Sequence, residues 1–236
     1  MVGHVEETVH DGDIRALQLF DKQGLAKSPD TRIIARKPCR TPPMNLIDLT
    51  VTLVDLPYPV TRNLTVPENL GLRDLHLVLQ AAMGWDNSHL YDFSSGRRHS
   101  WTDMDRTFAD AYDHVLAKSS LADIVATLGK LKSFTYTYDM GDSWEHDLRP
   151  SKPRAAAAGE AGIALTAAVG ACPPEDSGGA PGFSYMLECL DDPASAEYAE
   201  YLEWMGGEAF DRTADVAALT QRVAAVGKRL AKRPPG

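Results

Sequence analysis

Ile47-Asp48-Leu49-Thr50-Val51-Thr52-Leu53 alternates strictly between apolar and polar side chains, the period-two pattern of a β-strand with one buried face. After a Pro-containing turn from Asp55 to Pro59 the alternation resumes at Val60, Arg62, Leu64 and Val66, so the two runs read as a hairpin. Gly71 then opens a helix in which Leu72, Leu75, Leu79 and Ala82 recur at spacings of 3, 4 and 3, and Gly84 stands where a left-handed C-terminal residue belongs. A hairpin followed at once by an amphipathic helix describes a sheet with a helix laid on its apolar face.

The rest of the chain extends that unit. His89 to Phe93 reads as a short third strand, and Gly96 to Leu131 as a polar loop with a short helix at Leu121 to Leu128. Ser133 to Tyr138 and Trp144 to Leu148 alternate on either side of the five-residue turn Asp139-Met140-Gly141-Asp142-Ser143, a second hairpin. Lys152 to Ala168 is Ala/Gly-rich and reads as a surface insertion or linker. Phe183 to Leu190 is a short helical segment, Asp192-Pro193 reads as the start of a second helix ending at Gly206-Gly207, and Asp211 as the cap of a final one. The expected fold is therefore α+β: an antiparallel or mixed sheet of about five strands, one packed helix and a helical C-terminal part. Residues 1–43 are expected to be a poorly ordered extension, 44–215 the α+β domain with insertion 152–168, and 216–236 a C-terminal helix with a basic tail.

The 236 residues carry 24 Lys and Arg against 33 Asp and Glu, a net charge of -9, and 44% hydrophobic residues. That composition fits a globular domain and excludes collagen-like and disulfide-scaffold classes. The charge is uneven: +1 over residues 1–43, -6 over 44–150 and -4 over 151–236, with eleven acids and only Arg212 between Glu175 and Asp215. The core is thus a poor nucleic-acid surface, and binding there is expected only through the ends, chiefly the basic tail from Lys228 to Arg233. Met1 to Asp13 has four acids and no apolar run, and the uncharged stretch Ala161 to Pro174 is 14 residues long, short of the roughly 20 a membrane helix needs. Cys39, Cys172 and Cys189 are odd in number and lack C-x-x-C spacing, so neither a disulfide framework nor a zinc ribbon is indicated and a cytoplasmic location is expected.

Two motifs are dense enough in polar groups to carry chemistry. In Tyr138-Asp139-Met140-Gly141-Asp142-Ser143-Trp144-Glu145-His146 the turn pairs Tyr138 with Trp144 and Tyr136 with His146 on one aromatic face. Asp139, Asp142 and His146 then form a metal or acid/base cluster; the same residues also read as turn chemistry beside a core Trp and a hydrogen-bonded core His. Ser143 and His146, three apart on an extended strand, point to opposite faces and make no Ser-His pair. In Ala171-Cys172-Pro173-Pro174-Glu175-Asp176-Ser177-Gly178-Gly179 the Pro and Gly content enforces a loop, either a connector or a site offering Cys172, Glu175 and Asp176. Arg62 falls in phase with the apolar face of its strand and needs a partner there, which Asp142, Glu175 or Asp176 could supply. Trp85 and His89, just after the first helix, could line the same cleft, with Trp144 beside them. The phosphate-loop, dinucleotide and H-E-x-x-H signatures are absent.

Taken in order, Val66-Pro67, Leu75-His76, Gln80-Ala81-Ala82-Met83-Gly84-Trp85-Asp86-Asn87-Ser88-His89-Leu90, the Tyr138 to His146 motif, Ala171 to Asp176 and Tyr201-Leu202-Glu203-Trp204-Met205-Gly206-Gly207 resemble one family. It is the family named after the third open reading frame of a root-inducing (pRi) plasmid, also known as insertion-element passenger TnpR-like proteins. The resemblance covers about residues 44 to 215 and implies an α+β fold with a helical C-terminal part and a link to mobile elements; it implies no particular activity or cofactor. The chain departs from the family where Thr61-Arg62-Asn63 replaces a usual Trp-Arg-Arg, and where Ser177 replaces a second loop Cys, which removes a second thiolate from any metal proposal. A serine recombinase, which the TnpR label implies, needs a catalytic N-terminal domain and a basic helix-turn-helix, and neither residues 1–43 nor the acidic final third supplies one.

The function expected from the sequence is that of a cytoplasmic binding or accessory protein, not a recombinase, taking a small ligand or a protein partner in a cleft formed by Arg62, His89, Asp139, Asp142, His146, Glu175 and Asp176. The alternative is a metal-dependent hydrolase or nuclease using Asp139, Asp142 and His146.

Overall fold

The two hairpins form as their alternation dictates, and they lie side by side in one sheet. The computed structural model describes residues 44–102 and 113–233, so the expected N-terminal extension lies outside the described residues. The strands are β1 (Asn45–Leu53), β2 (Val60–Pro67), β3 (Tyr91–Ser95), β4 (His99–Thr102), β5 (Asp113–Val115), β6 (Phe134–Tyr138), β7 (Trp144–Pro150), β8 (Arg154–Ala155) and β9 (Ala164–Val169). Their order is β5-β4-β3-β6-β7-β1-β2-β9, with β8 pairing β1. The β4–β5 pair is parallel, the others antiparallel. The helices are α1 (Leu72–Met83), α2 (Leu121–Thr127), α3 (Gly179–Asp191), α4 (Tyr198–Trp204) and α5 (Val216–Ala231). The class is α+β, with nine strands among the described residues rather than about five.

One face of the sheet is dry. Ile47, Leu49, Val51 and Leu53 of β1 are buried, and the register sets Leu49 against Leu64, Val51 against Arg62 and Leu53 against His146. The opposite face carries Thr50, Thr52, Thr61, Asn63, Thr135, Thr137 and Arg149, as an antiparallel sheet with one solvated face should. Helix α1 covers the dry face with Leu72, Leu75, Val78, Leu79 and Ala82, and α5 packs on α1 and β9 through Leu219 and Val223. Gly84 ends α1 in the left-handed conformation expected of it.

Five sequence expectations shift. The polar stretch after Gly96 contains β4 and β5, and the expected insertion 152–168 contains β8 and β9, which extend the sheet along β1 and β2. The third strand starts at Tyr91, which leaves His89 in the loop before it. Asp192 ends α3 instead of starting the next helix, and α4 begins at Tyr198. The cap of α5 is Asp215, whose side chain accepts from the Ala218 N–H, while Asp211 holds only a turn at Thr213. Among the described residues no helix is long and apolar enough to cross a membrane.

Candidate functional site

Three loops meet at one end of the dry face: residues 84–90 between α1 and β3, the 139–143 turn between β6 and β7, and the 170–178 loop before α3. Trp85 is the peg that joins them. Its ring is buried against Tyr138 (5.0 Å), Trp144 (6.0 Å) and His146 (5.4 Å), and its indole N–H donates to the Pro173 carbonyl at 2.9 Å. Glu175 ties the loops electrostatically. Its carboxylate accepts from the Asp86 N–H (3.0 Å), the Ser88 hydroxyl (2.6 Å) and the Tyr138 hydroxyl (2.8 Å). Burial pushes the Glu175 carboxyl up, but these hydrogen bonds jointly outweigh it and hold the group below the usual carboxylate range. The Tyr138 oxygen in turn accepts from the Ser88 N–H at 2.9 Å.

His89 stands at the mouth of this junction, with 28% of its side chain exposed. Its Nδ1 lies 3.5 Å from Asp139 Oδ2 and its Nε2 3.3 Å from Asp176 Oδ1, so a carboxylate faces each ring nitrogen. The Nε2 contact has ion-pair distance but no hydrogen-bond geometry, and that atom is shielded from water. One ligand atom from each of the three residues falls within 4.8 Å of the others, close to the roughly 3–4 Å that donors around one ion span when each bond is about 2.1 Å. Asp139 and Asp176 are both held at positive φ (59° each), as are Asn87 (61°) and Ser143 (57°) on the same rim. Such conformations are uncommon away from Gly and gather where loop geometry is over-determined.

Asp142 sits one step away, its carboxylate accepting the Gly178 N–H at 3.1 Å, which docks the 170–178 loop on the turn. The close approach there requires Gly179, at φ 67°, because a Cβ would lie 2.4 Å from the Asp142 carbonyl oxygen.

Three residues singled out in the sequence lie beneath this mouth and not in it. His146 is fully buried, its Nδ1 at 3.1 and 3.0 Å from the Tyr136 and Trp144 carbonyls, and burial pushes its pKa down to about 4. It is a neutral core histidine at pH 7, apart from Asp142. Arg62 is 1% exposed, and among the described residues its side-chain partners are backbone carbonyls, not carboxylates. Its Nε donates to the Ala82 carbonyl at 2.7 Å and its Nη1 to the Thr61 and Val169 carbonyls at 2.8 Å each. The partner of this buried charge is the negative end of α1, where carbonyls lack intrahelical donors, and not Asp142, Glu175 or Asp176. Burial pushes the Cys172 thiol up to about 12, so it is no thiolate at neutral pH and is a poor metal ligand. Of the expected set, then, Trp85, His89, Asp139, Glu175 and Asp176 converge, with Trp144 packed behind Trp85. Sequence reasoning passed over Asp86, Ser88 and Tyr138 as functional residues, though all three stand inside the quoted motifs.

The chain matches the Plasmid pRiA4b ORF-3-like protein family over residues 45–218. It belongs to that family. A family relative described as uncharacterized protein y4hQ, from Sinorhizobium fredii (strain NBRC 101917 / NGR234), is 41% identical over 170 residues, 72% of this chain and 86% of the relative. Among solved structures, a protein of unknown function from Methanosarcina mazei Go1, MM3350, aligns with a TM-score of 0.63 at 29% identity, covering 72% of this chain and 94% of that one. The matched span contains all three loops of the junction.

Proposed function

We propose that this protein is a binding or accessory module whose ligand is a divalent metal ion, held by His89, Asp139 and Asp176. The observation that carries the reading is the placement of an imidazole between two carboxylates on three separate loops. Acidic surroundings support it: Glu175, Asp142 and Asp86 lie on the same loops, with Arg222 as the neighbouring cation, its Nη2 on the Trp85 carbonyl at 2.6 Å. One nitrogen and carboxylate oxygens suit Mn²⁺, Fe²⁺ or Zn²⁺. Mn²⁺ or Zn²⁺ added to purified protein should raise the melting temperature, and His89→Ala and Asp139→Asn should each abolish the rise while still folding. No metal-dependent shift in the unsubstituted protein would sink the proposal.

A second reading, a metal-dependent hydrolase or nuclease, would keep Asp139 of the expected set and use His89 and Asp176 in place of Asp142 and His146. It would show as metal-dependent cleavage of a phosphodiester that disappears in His89→Ala; binding without turnover favours the accessory role. Cytoplasmic residence, a link to mobile elements and the absence of recombinase activity complete the proposal, on the sequence arguments above. For nucleic acid, the basic tail is partly engaged already, since Arg233 donates to Asp74 at 2.6 Å on α1.

A further inference from the structure

Beside Asp176 a cleft of about 340 Å³ opens between the start of α3 and α4. Its walls are Asp176, Glu200, Tyr201 and Trp204, and Met186 is its buried floor. Helix α4 has no buried residue, although Tyr201 and Met205 rest on the core. It leaves Trp204 50% exposed, whereas the other three tryptophans, Trp85, Trp101 and Trp144, are buried. An indole left at the surface next to carboxylates forgoes apolar burial and gains a π-face with an anionic rim, the arrangement that receives an organic cation. Among the described residues no Lys or Arg lines the cleft. Between Glu175 and Asp215 Arg212 is the only basic residue against eleven acids, and Asp191 engages it at 2.6 Å.

We infer that this cleft docks an arginine side chain from a basic peptide segment of a partner protein. The guanidinium would stack on Trp204 and bond to Glu200 and Asp176, while the acidic segment around it draws the rest of the peptide. Arginine is preferred to lysine because a planar, weakly hydrated cation stacks on an indole and bonds carboxylates two at a time. This inference goes beyond the metal reading and stands without it; Asp176 is the one residue the two share.

Because the three other tryptophans are buried, acrylamide quenching of intrinsic fluorescence reports mainly on Trp204. The full-length protein is titrated at low salt with an arginine-glycine repeat peptide and with its lysine counterpart, following quenching and the anisotropy of labelled peptide. The expected result is saturable binding that shields Trp204, weaker binding of the lysine peptide, and a loss of about fivefold or more in Trp204→Leu and in Glu200→Gln. Glu208→Gln, an equal charge change outside the cleft, should leave affinity within about twofold. Absence of saturable binding overturns the inference. So does equal weakening by Glu200→Gln and Glu208→Gln with none in Trp204→Leu, which would mean diffuse charge attraction. Trp204 is half exposed on a helix without buried residues, so its replacement is not expected to unfold the domain, and circular dichroism checks this.

Discussion

Lowering the pH from about 7.5 to about 5 should cost this domain several kcal/mol of stability, because two histidines are buried neutral. His146 has its Nδ1 on two backbone carbonyls and its Nε2 enclosed without a partner. His76, on α1, has its Nδ1 at 2.8 Å from the Tyr136 hydroxyl, its Nε2 on Asn87 Oδ1, and its ring stacked on Tyr91. Burial pushes each pKa down to about 4. In the unfolded chain each imidazole takes up a proton near its ordinary value of about 6.5, so between about 6.5 and 4 the unfolded state binds more protons and stability falls as pH falls. At about pH 5 the loss is about 2 kcal/mol per histidine, about 4 together, a large part of the ~5–15 kcal/mol typical of a domain. Asp48 and Glu175 are held below their ordinary values and act in the same direction at lower pH, whereas Asp92, pushed up by burial, acts against it. Urea denaturation at the two pH values measures the difference, and His146→Asn should remove about half of it. Equal stability at both pH values would refute the reasoning, as would ring ¹⁵N shifts showing both imidazoles titrating near 6.5 in the folded protein.

Arg62→Met should destabilise by about 2–5 kcal/mol in chemical denaturation, because it strips the donors from the Ala82, Thr61 and Val169 carbonyls in a dry site. Gly179→Ala should cost at least about 1–2 kcal/mol from the left-handed backbone alone, more with the contact against the Asp142 carbonyl. Its hydrogen exchange should quicken selectively in residues 170–178; unchanged exchange there would mean that the loop is not pinned at this point.

The elements legible in the sequence are those long enough for their period to count. The pairing of Tyr136 with His146 and Tyr138 with Trp144 follows from five turn residues and alternation, and holds. Alternation gives a face but not a depth, so His146 could be placed among aromatics yet not told apart from a cleft residue. The expectation of a carboxylate for Arg62 failed for a related reason: a charge in the apolar phase demands negative potential, and a helix C-terminus supplies it without any acidic residue to be seen in the sequence. Strands β4, β5 and β8 have four, three and two residues, and β9 is half alanine and pairs across a register shift at Asn63/Leu64, so none shows a countable alternation. Asp192 and Asp211 carried cap signals but serve a helix end and a turn, roles that Asp fills equally well.

The His89 cluster was beyond spacing arguments altogether, since its three members come from loops that meet only in the folded chain. What brings them together is Glu175, one of the acids the sequence offered as a ligand. All three of its hydrogen bonds go to the 84–90 loop and Tyr138, so it is occupied in holding the loop that carries His89 against the end of β6, next to Asp139. Next to it in the chain, Asp176 adopts a positive φ and faces His89 from the other side. One neighbour is half-buried and spent on structure, and the other is 74% exposed with its oxygen at the mouth. A ligand that draws His89, Asp139 and Asp176 together therefore tightens the same three-loop junction that Trp85 and Glu175 close from beneath, and binding at the mouth is linked to the stability of that end of the sheet.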